Sequence, residues 1–446
     1  MRVDGVILVV PTEQEAGKRR PTDDVILRKL IGVPLIERGI LAFRKAGIER
    51  ITIAGNITRD LEERLGDGSR LGVDLSFSKT ATKDGDDLAW MHDSEALHES
   101  DQIVLAAADH WYHPEIVQRL VSRSENEGTS CVCVDFRTDE IKITPSTILM
   151  QVHEDGAIQR FGAGPGDFNA IGCGLYVLSL KEIEALTKAA GDPKPSLAAA
   201  ARQLADSQRL LSMPVDDLPW ENAGTDGGLA RARRKLSRSL HSPLEGLVSR
   251  HINRRFSIPL SKLAVSARLT PNALSIISFL IGLGSGVSFA LGLLIPGAIG
   301  AQITSIVDGS DGEVARLRFM ESKWGGMLDS LLDRFADAAI LAGITIYLYS
   351  VGAPQWQLIS AISALALAPS SMMITDQFQL ATGTQWDREK RDGLARFMLA
   401  TRDGRLFAIF VAGLTNQLGV ACLFIAVTSV VLQSWRLTQM WKEVRV

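Results

Sequence analysis

Four aspartates, Asp308, Asp311, Asp329 and Asp333, fall at helical spacings within two apolar segments. Asp308 and Asp311 are three residues apart and Asp329 and Asp333 four, so each pair shares one helix face. A short turn between the segments makes the two helices antiparallel neighbours and lets the four carboxylates converge. Like charges gathered at the edge of a low-dielectric medium repel strongly, so a cation must accompany them. Oxygen-only ligands select a hard ion, Mg²⁺ or Mn²⁺, over zinc. Four carboxylates suit two ions about 3.5–4 Å apart, which can clamp a phosphoryl group between nucleophile and leaving group. Gly309, Gly312, Ala315, Gly325 and Gly326 remove side chains where a bulky ligand needs close backbone approach. Arg316 supplies a fork for phosphate oxygens. Two other readings compete. Helical spacing inside apolar segments argues against a turn or calcium loop, and a cation transporter with an intramembrane acid pathway is the remaining alternative.

The elements that must position these residues are legible around them. The chain has 446 residues and a formal net charge of −3, so no global field marks a nucleic-acid binder. Its average hides a split. Residues 1–226 read as a cytoplasmic α/β domain, 227–257 as a basic linker and juxtamembrane helix, 258–437 as a membrane domain and 438–446 as a cytoplasmic tail. In the first part, strands are expected at 5–10, 50–55, 102–110, 130–136, 147–152 and 172–179, with helices at 34–47 and 114–128. This βαβ rhythm implies a mostly parallel, Rossmann-like sheet. The arginine-dense stretch 227–256 reads as a helix leading into an interfacial segment whose arginines face lipid headgroups.

In the second part, Thr270 and Pro271 suit the N-cap and first position of a helix running to about 290. Further spans are expected at about 294–316, 325–349 and 355–377, and "TNQLG" (415–419) divides the long stretch 405–435 in two. With 258–269 lying in the interface, six transmembrane helices result; counting that segment as a span gives seven, or six with the last stretch unsplit. Connections near 291–297, 349–356 and 415–419 carry no Lys or Arg, whereas those at 227–262, 316–323 and 386–405 are rich in them. The positive-inside rule then puts both termini and the aspartates on the cytoplasmic side of the cytoplasmic membrane. The four cysteines show no metal-ligand spacing and read as buried, reduced thiols.

The string Asp308-x-x-Asp311-Gly312-x-x-Ala315-Arg316, eight residues, then Gly325-x-x-x-Asp329-x-x-x-Asp333 resembles the CDP-alcohol phosphotransferase signature at every fixed position. The resemblance covers about residues 240–437. It implies a six-helix membrane domain, usually a homodimer, in which an acceptor hydroxyl attacks the β-phosphate of a CDP-linked donor and CMP leaves. It further implies that Asp308, Asp311, Asp329 and Asp333 are metal ligands, that Asp333 is also the general base, and that Gly312, Ala315, Arg316 and Gly325 hold the cytidine diphosphate. The donor is CDP-diacylglycerol or a CDP-linked polar alcohol such as CDP-inositol; the acceptor is an alcohol or alcohol phosphate. Lys323, Arg402 and Arg405 are candidates for an acceptor phosphate, against plain positive-inside anchoring.

Residues 1–236 resemble the nucleotidyltransferase domain that precedes this membrane domain in bifunctional inositol-phosphate cytidylyltransferase/di-inositol-phosphate-phosphate synthases. "VILVV", "IGVPLIERGILAFRKAGI", "LAAADH" with Asp109, and "PWENAGTDGGLARARRKL" carry the likeness. Departures are concentrated where nucleotide is held. The loop after the first strand reads "VPTEQEAGKRRPTDD", where Thr12, Glu13, Gln14 and Glu15 add bulk and negative charge in place of glycines. Val25 falls near the place of the family lysine, with Lys29 close by, and Asn222 and Gly224 stand where the closing metal aspartates belong. The domain therefore reads as degenerate, the alternative being an enzyme that also makes the CDP-alcohol from CTP and an alcohol phosphate.

Overall fold

The structure, a computed structural model, describes residues 2–9, 12–13, 19–20, 25–79, 101–127, 129–141, 143–144, 147–164, 166–183, 196–240, 248–384, 386–387, 391–393 and 401–444. It divides into two units, Met1–Ser239 and Leu240–Val446.

The first unit is an α/β sheet with helices. Its strands are β1 (Val3–Val9), β2 (Arg50–Gly55), β3 (Asp74–Lys79), β4 (Gln102–Ala107), β5 (His110–Tyr112), β6 (Ser130–Asp135), β7 (Leu149–Val152), β8 (Ile158–Phe161), β9 (Ala170–Ser179), β10 (Leu210–Pro214) and β11 (Trp220–Asn222). The helices are α1 (Leu35–Lys45), α2 (Arg59–Leu65), α3 (Pro114–Glu127), α4 (Leu197–Asp206) and α5 (Gly228–Ser239). Strands β3, β2, β1 and β4 are parallel neighbours, and near-continuous burial along β1, β2 and β4 is what a sheet covered on both faces requires.

The expectation of a mostly parallel sheet needs correction. β9 runs antiparallel to β4, β6 and β7, and β7 is antiparallel to β8, so the sheet is mixed. The cause is local. Asp155 and Gly156 close a tight turn, with the Ala157 amide donating to Asp155 Oδ1 at 2.9 Å, and a short turn joins only antiparallel strands. All four cysteines are buried, and burial pushes the Cys133 and Cys173 thiols well above their ordinary range.

Helix α5 also differs from its expected place in a linker. It belongs to the first unit, where Arg231 and Lys235 both pair with Glu221 at 2.7 Å. Those two basic residues therefore bind a carboxylate of their own unit.

The second unit is helical: α6 (Arg254–Ser266), α7 (Pro271–Ala290), α8 (Leu294–Arg318), α9 (Lys323–Ser350), α10 (Gln355–Thr382), α11 (Arg402–Leu414) and α12 (Leu418–Val444). Among the described residues three stretches, Pro271–Ala290, Gln355–Thr382 and Leu418–Glu443, are long and apolar enough to cross a membrane. α8 and α9 have 25 and 28 residues but carry the charged motif. Thr270 caps α7, its hydroxyl accepting from the Ala273 amide at 3.3 Å, and Pro271 takes the first position. The chain breaks between Leu414 and Leu418, within the stretch where the sequence suggested a division.

Helices α8 and α9 were expected to lie against each other. Instead α7 packs along both, and the two motif helices make little direct contact. Small residues explain it. A Cβ on Gly343 would lie 2.0 Å from the Gly286 carbonyl oxygen, and one on Gly286 would lie 2.3 Å from the Ala339 oxygen. Backbones this close hold α7 on α9 by van der Waals contact, the means available where lipid removes the hydrophobic drive between helices. Gly343→Ala is expected to cost about 1–3 kcal/mol through overpacking, read as a lower unfolding midpoint in detergent. Gly284→Ala, whose Cβ meets nothing within 4 Å, should leave that midpoint unchanged. Equal midpoints for the two variants would contradict the close approach.

Candidate active site

The carboxylates come from the C-terminal half of α8 and the N-terminal half of α9. Between them the chain turns at Phe319, which is left-handed (φ 55°), and restarts at Ser322, whose hydroxyl caps α9 by accepting from the Gly325 amide at 2.9 Å. One carboxylate oxygen each from Asp308, Asp311 and Asp329 lies within 4.8 Å of the others. Asp333 lies beside Asp308, and Arg402 Nη1 meets both, 2.7 Å from Asp308 Oδ2 and 2.9 Å from Asp333 Oδ1. Helix α7 takes part as well, since the Ser275 hydroxyl donates to Asp311 Oδ2.

The donor set fits hard divalent cations. It is all oxygen, and Asp329 Oδ1 is buried with no hydrogen-bond partner among the described residues. A buried, unpaired carboxylate oxygen is costly unless something supplies positive charge. The expected second group of residues adjoins the first. A cavity of about 170 Å³ is lined by Gly312, Ala315, Arg316 and Gly325, together with Asp311, Asp329, Asn272 and Ser275. Cβ atoms at Gly309 and Gly326 would meet nothing within 4 Å, so the motif leaves open space on the helix surfaces there. Arg316 is aimed by its Nη2, which donates to the Leu240 carbonyl at 2.9 Å, while its Nε is buried without a partner.

The three acceptor-phosphate candidates are not brought together. Arg402 and Arg405 share Asp337, at 3.0 Å each. Lys323 is exposed at the start of α9, roughly 15 Å along that helix from Asp333 at 1.5 Å rise per residue. Sequence reasoning missed Ser275, Asn272 and Asp337. Asp337 did leave a signal, being the third aspartate in a four-residue series with Asp329 and Asp333.

Behind the site, the juxtamembrane helix is fastened to α8. Arg254 and the Ser257 hydroxyl both donate to Glu313 Oε1, and Asn253 Nδ2 donates to Ser305 Oγ at 2.8 Å. Arg254 is therefore turned inward, contrary to the expectation that this segment's arginines face headgroups, whereas Arg250 and Arg255 are exposed.

In the first unit, Asp109 lies at the end of β4. His110 Nδ1 is 2.6 Å from its Oδ1, and the His110 ring stacks on Trp220 at 6.0 Å. The closing segment lies beside it, the Ala223 amide donating to the Asp109 carbonyl at 2.9 Å. Asn222 Oδ1 is taken up by the Gly224 amide in a local turn. Val25 is buried and Lys29 exposed. Of the atypical loop, Gln14 and Glu15 lie outside the described residues, and only the backbone of Thr12 and Glu13 is described, paired with Arg19 and Arg20. A cavity of about 330 Å³ nearby is lined by Asp135, Arg137, Asp217, Lys235 and Arg238. Burial raises the Asp135 pKa, but hydrogen bonds from Arg137 and Trp220 outweigh it and hold the carboxyl below its ordinary range.

Comparison with known proteins bears on both units. Residues 268–441 match the family model for CDP-alcohol phosphatidyltransferase. A bifunctional IPC transferase and DIPP synthase from Rubrobacter xylanophilus is 29% identical over 417 residues, covering 92% of this chain and 89% of the relative. An archaetidylinositol phosphate synthase from Pyrococcus horikoshii is 31% identical over 170 residues, 38% of this chain and 82% of the relative. Among solved structures, the inositol-1-phosphate CTP transferase from T. maritima is similar at 20% identity and a TM-score of 0.42, over 53% of this chain and 96% of that one. The matched region holds the aspartates, the cleft and the helices that carry them, and the Pyrococcus relative is covered over most of its length: the chain belongs to the CDP-alcohol phosphatidyltransferase family.

Proposed function

We propose that Asp308, Asp311, Asp329 and Asp333 form the reaction centre at which this membrane transferase moves a substituted phosphate group from a CDP-linked donor to an alcohol acceptor. The observation that carries the assignment is the cleft lined by Gly312, Ala315, Arg316 and Gly325 directly beside Asp311 and Asp329. The small residues admit the cytidine diphosphate, and the Arg316 fork suits its phosphate oxygens. The acceptor oxygen forms a bond to the β-phosphorus as the bond from that phosphorus to the bridging oxygen breaks. CMP leaves with the bridging oxygen, and the hydroxyl proton passes to the Asp333 carboxylate. Asp308, Asp311, Asp329 and Asp333 would hold two Mg²⁺ or Mn²⁺ ions, which when bound neutralise the diphosphate and the departing CMP.

Arg402 and Arg405 are the candidates for an anionic acceptor; Lys323 is too far from them to share one phosphate. The connections Leu291–Leu293, Val351–Pro354 and Thr415–Gln417 lack Lys and Arg, which supports six spans with the aspartates and both termini on the cytoplasmic side. Contact with membrane lipid and a homodimer belong to the same reading. The division into a soluble unit, a juxtamembrane segment, a membrane domain and a short tail completes it.

Under this reading the first unit does not make the donor, because its loop after β1 and its closing segment lack the residues that hold nucleotide and metal. A second reading is favoured by the Rubrobacter relative, whose bifunctional name belongs to a protein aligned with 92% of this chain. There the first unit would transfer a cytidylyl group from CTP to an alcohol phosphate, with pyrophosphate leaving. One experiment separates the two. Purified full-length protein is given either CDP-diacylglycerol or CDP-inositol with a panel of alcohols and alcohol phosphates, or CTP with the alcohol phosphates alone. Mass spectrometry should find CMP and a phosphodiester in the first set and no CDP-alcohol in the second. No phosphodiester from any donor would defeat the transferase assignment, and a CDP-alcohol formed from CTP would install the bifunctional reading.

A further inference from the structure

Asp337 lies one turn beyond Asp333 on α9, outside the motif, and is buried. Its two oxygens go to different arginines: Oδ1 accepts from Arg402 Nε and Oδ2 from Arg405 Nη2, both at 3.0 Å. Arg405 is anchored in turn by Nη1, which donates to the Ala368 carbonyl at 3.1 Å. A guanidinium is planar, so fixing Nε fixes where the terminal nitrogens point. In Arg402 they point at the carboxylate group, and Nη1 meets Asp308 and Asp333.

The two ends of this arginine are held differently. The Nε contact to Asp337 is a hydrogen bond. Nη1 and Nη2 are buried without hydrogen-bond geometry to any partner among the described residues, so the contacts to Asp308 and Asp333 are charge attraction alone. Charge is also out of balance. Five carboxylates, Asp308, Asp311, Asp329, Asp333 and Asp337, face three guanidiniums, those of Arg402, Arg405 and Arg316, a deficit that a low-dielectric site does not tolerate without added cations.

We propose that Asp337 is a positioning residue: it fixes Arg402 as an internal counter-ion against Asp308 and Asp333, which an entering divalent cation displaces while Asp337 keeps the arginine at the site. The inference rests on the reading of the aspartates as a cation site. Arg402 then holds the empty site together and becomes free for an anionic group only once cations have entered, so cation loading precedes engagement of the arginine.

The test is a double-mutant cycle on Mn²⁺ binding, with Mn²⁺ alone as the probe and full-length, chelator-stripped protein in detergent. Arg402→Gln should bind Mn²⁺ more tightly than wild type, because the competitor is gone. Asp337→Asn should bind about tenfold more weakly, because Arg402 is handed wholly to Asp308 and Asp333; in the Arg402→Gln background that loss should shrink to less than about threefold. Asp337→Glu, which keeps the charge, should stay within about threefold of wild type. Equal losses in both backgrounds would overturn the proposal, since Asp337 would then act independently of Arg402. Should Asp337→Asn not fold, the Mn²⁺-induced rise in unfolding temperature should still be larger in Arg402→Gln than in wild type, and an equal or smaller rise would also overturn it. Asp308→Asn distinguishes the underlying reading: wild-type Mn²⁺ affinity in that variant removes the cation site and this proposal together, whereas weakened binding with additive Asp337 losses removes only the role of Asp337.

Discussion

Asp333→Asn is expected to lower CMP release by about two to four orders of magnitude, the usual contribution of a positioned proton acceptor, while weakening divalent-cation binding less than Asp311→Asn does. The geometry grades the effect on the metal. Asp308, Asp311 and Asp329 bring oxygens within 4.8 Å of one another, whereas Asp333 lies outside that trio and shares Arg402 Nη1 with Asp308, at 2.9 Å. The amide of Asn keeps the size of the side chain but cannot take a proton from the acceptor hydroxyl. Steady-state CMP release and Mn²⁺ titration of the same preparation give the two readouts. The loss should fall on kcat, with KM for the CDP-linked donor within a few fold of wild type, because the donor cleft is lined from Gly312 to Asp329 and does not include Asp333. A variant that turns over within tenfold of wild type would remove Asp333 as the base.

The grouping of these aspartates was more legible in the sequence than the packing that builds it. Helical spacing brought Asp308 to Asp311 and Asp329 to Asp333, and the Thr270–Pro271 pair marked the start of α7 to the residue. Periodicity speaks only of which residues share a face, and it says nothing of which helix that face meets. The two motif helices were therefore taken as direct neighbours, although α7 lies along both. The information was carried by Gly286 and Gly343, residues with no side chain, whose meaning emerges only when the opposing backbone is in place. The partners of Arg402 were hidden for a related reason. A basic residue at the end of a span reads as an anchor for headgroups or phosphate, and only the fold shows its guanidinium among Asp308, Asp333 and Asp337. In the first unit, the strand positions followed from apolar runs, but direction did not. A strand buried on both faces looks alike in either orientation, so the antiparallel entry of β9 left no mark in its own residues.

Asp311→Asn should abolish turnover and metal binding together, in contrast to Asp333→Asn. Asp311 is the most enclosed of the four motif aspartates, accepting from Ser275 while facing Asp308 and Asp329, and it lines the cleft as well. Under the proposed reading it stands where the cation set and the donor phosphates meet. Substitutions in the outer shell of a metal site already cost about 10–100-fold in affinity, so removing an enclosed ligand should weaken Mn²⁺ binding by at least that factor and lower CMP release more than about a hundredfold. The neutral amide also relieves repulsion among the remaining carboxylates. Chelator-stripped Asp311→Asn protein should therefore unfold at a temperature no lower than stripped wild type, even as the stabilisation by added Mn²⁺ is lost. This pairing of an undamaged apo protein with an absent metal response is what separates a lost ligand from a damaged fold. An Asp311→Asn protein that kept the wild-type Mn²⁺ response would move the cations elsewhere and leave the cleft without its chemistry.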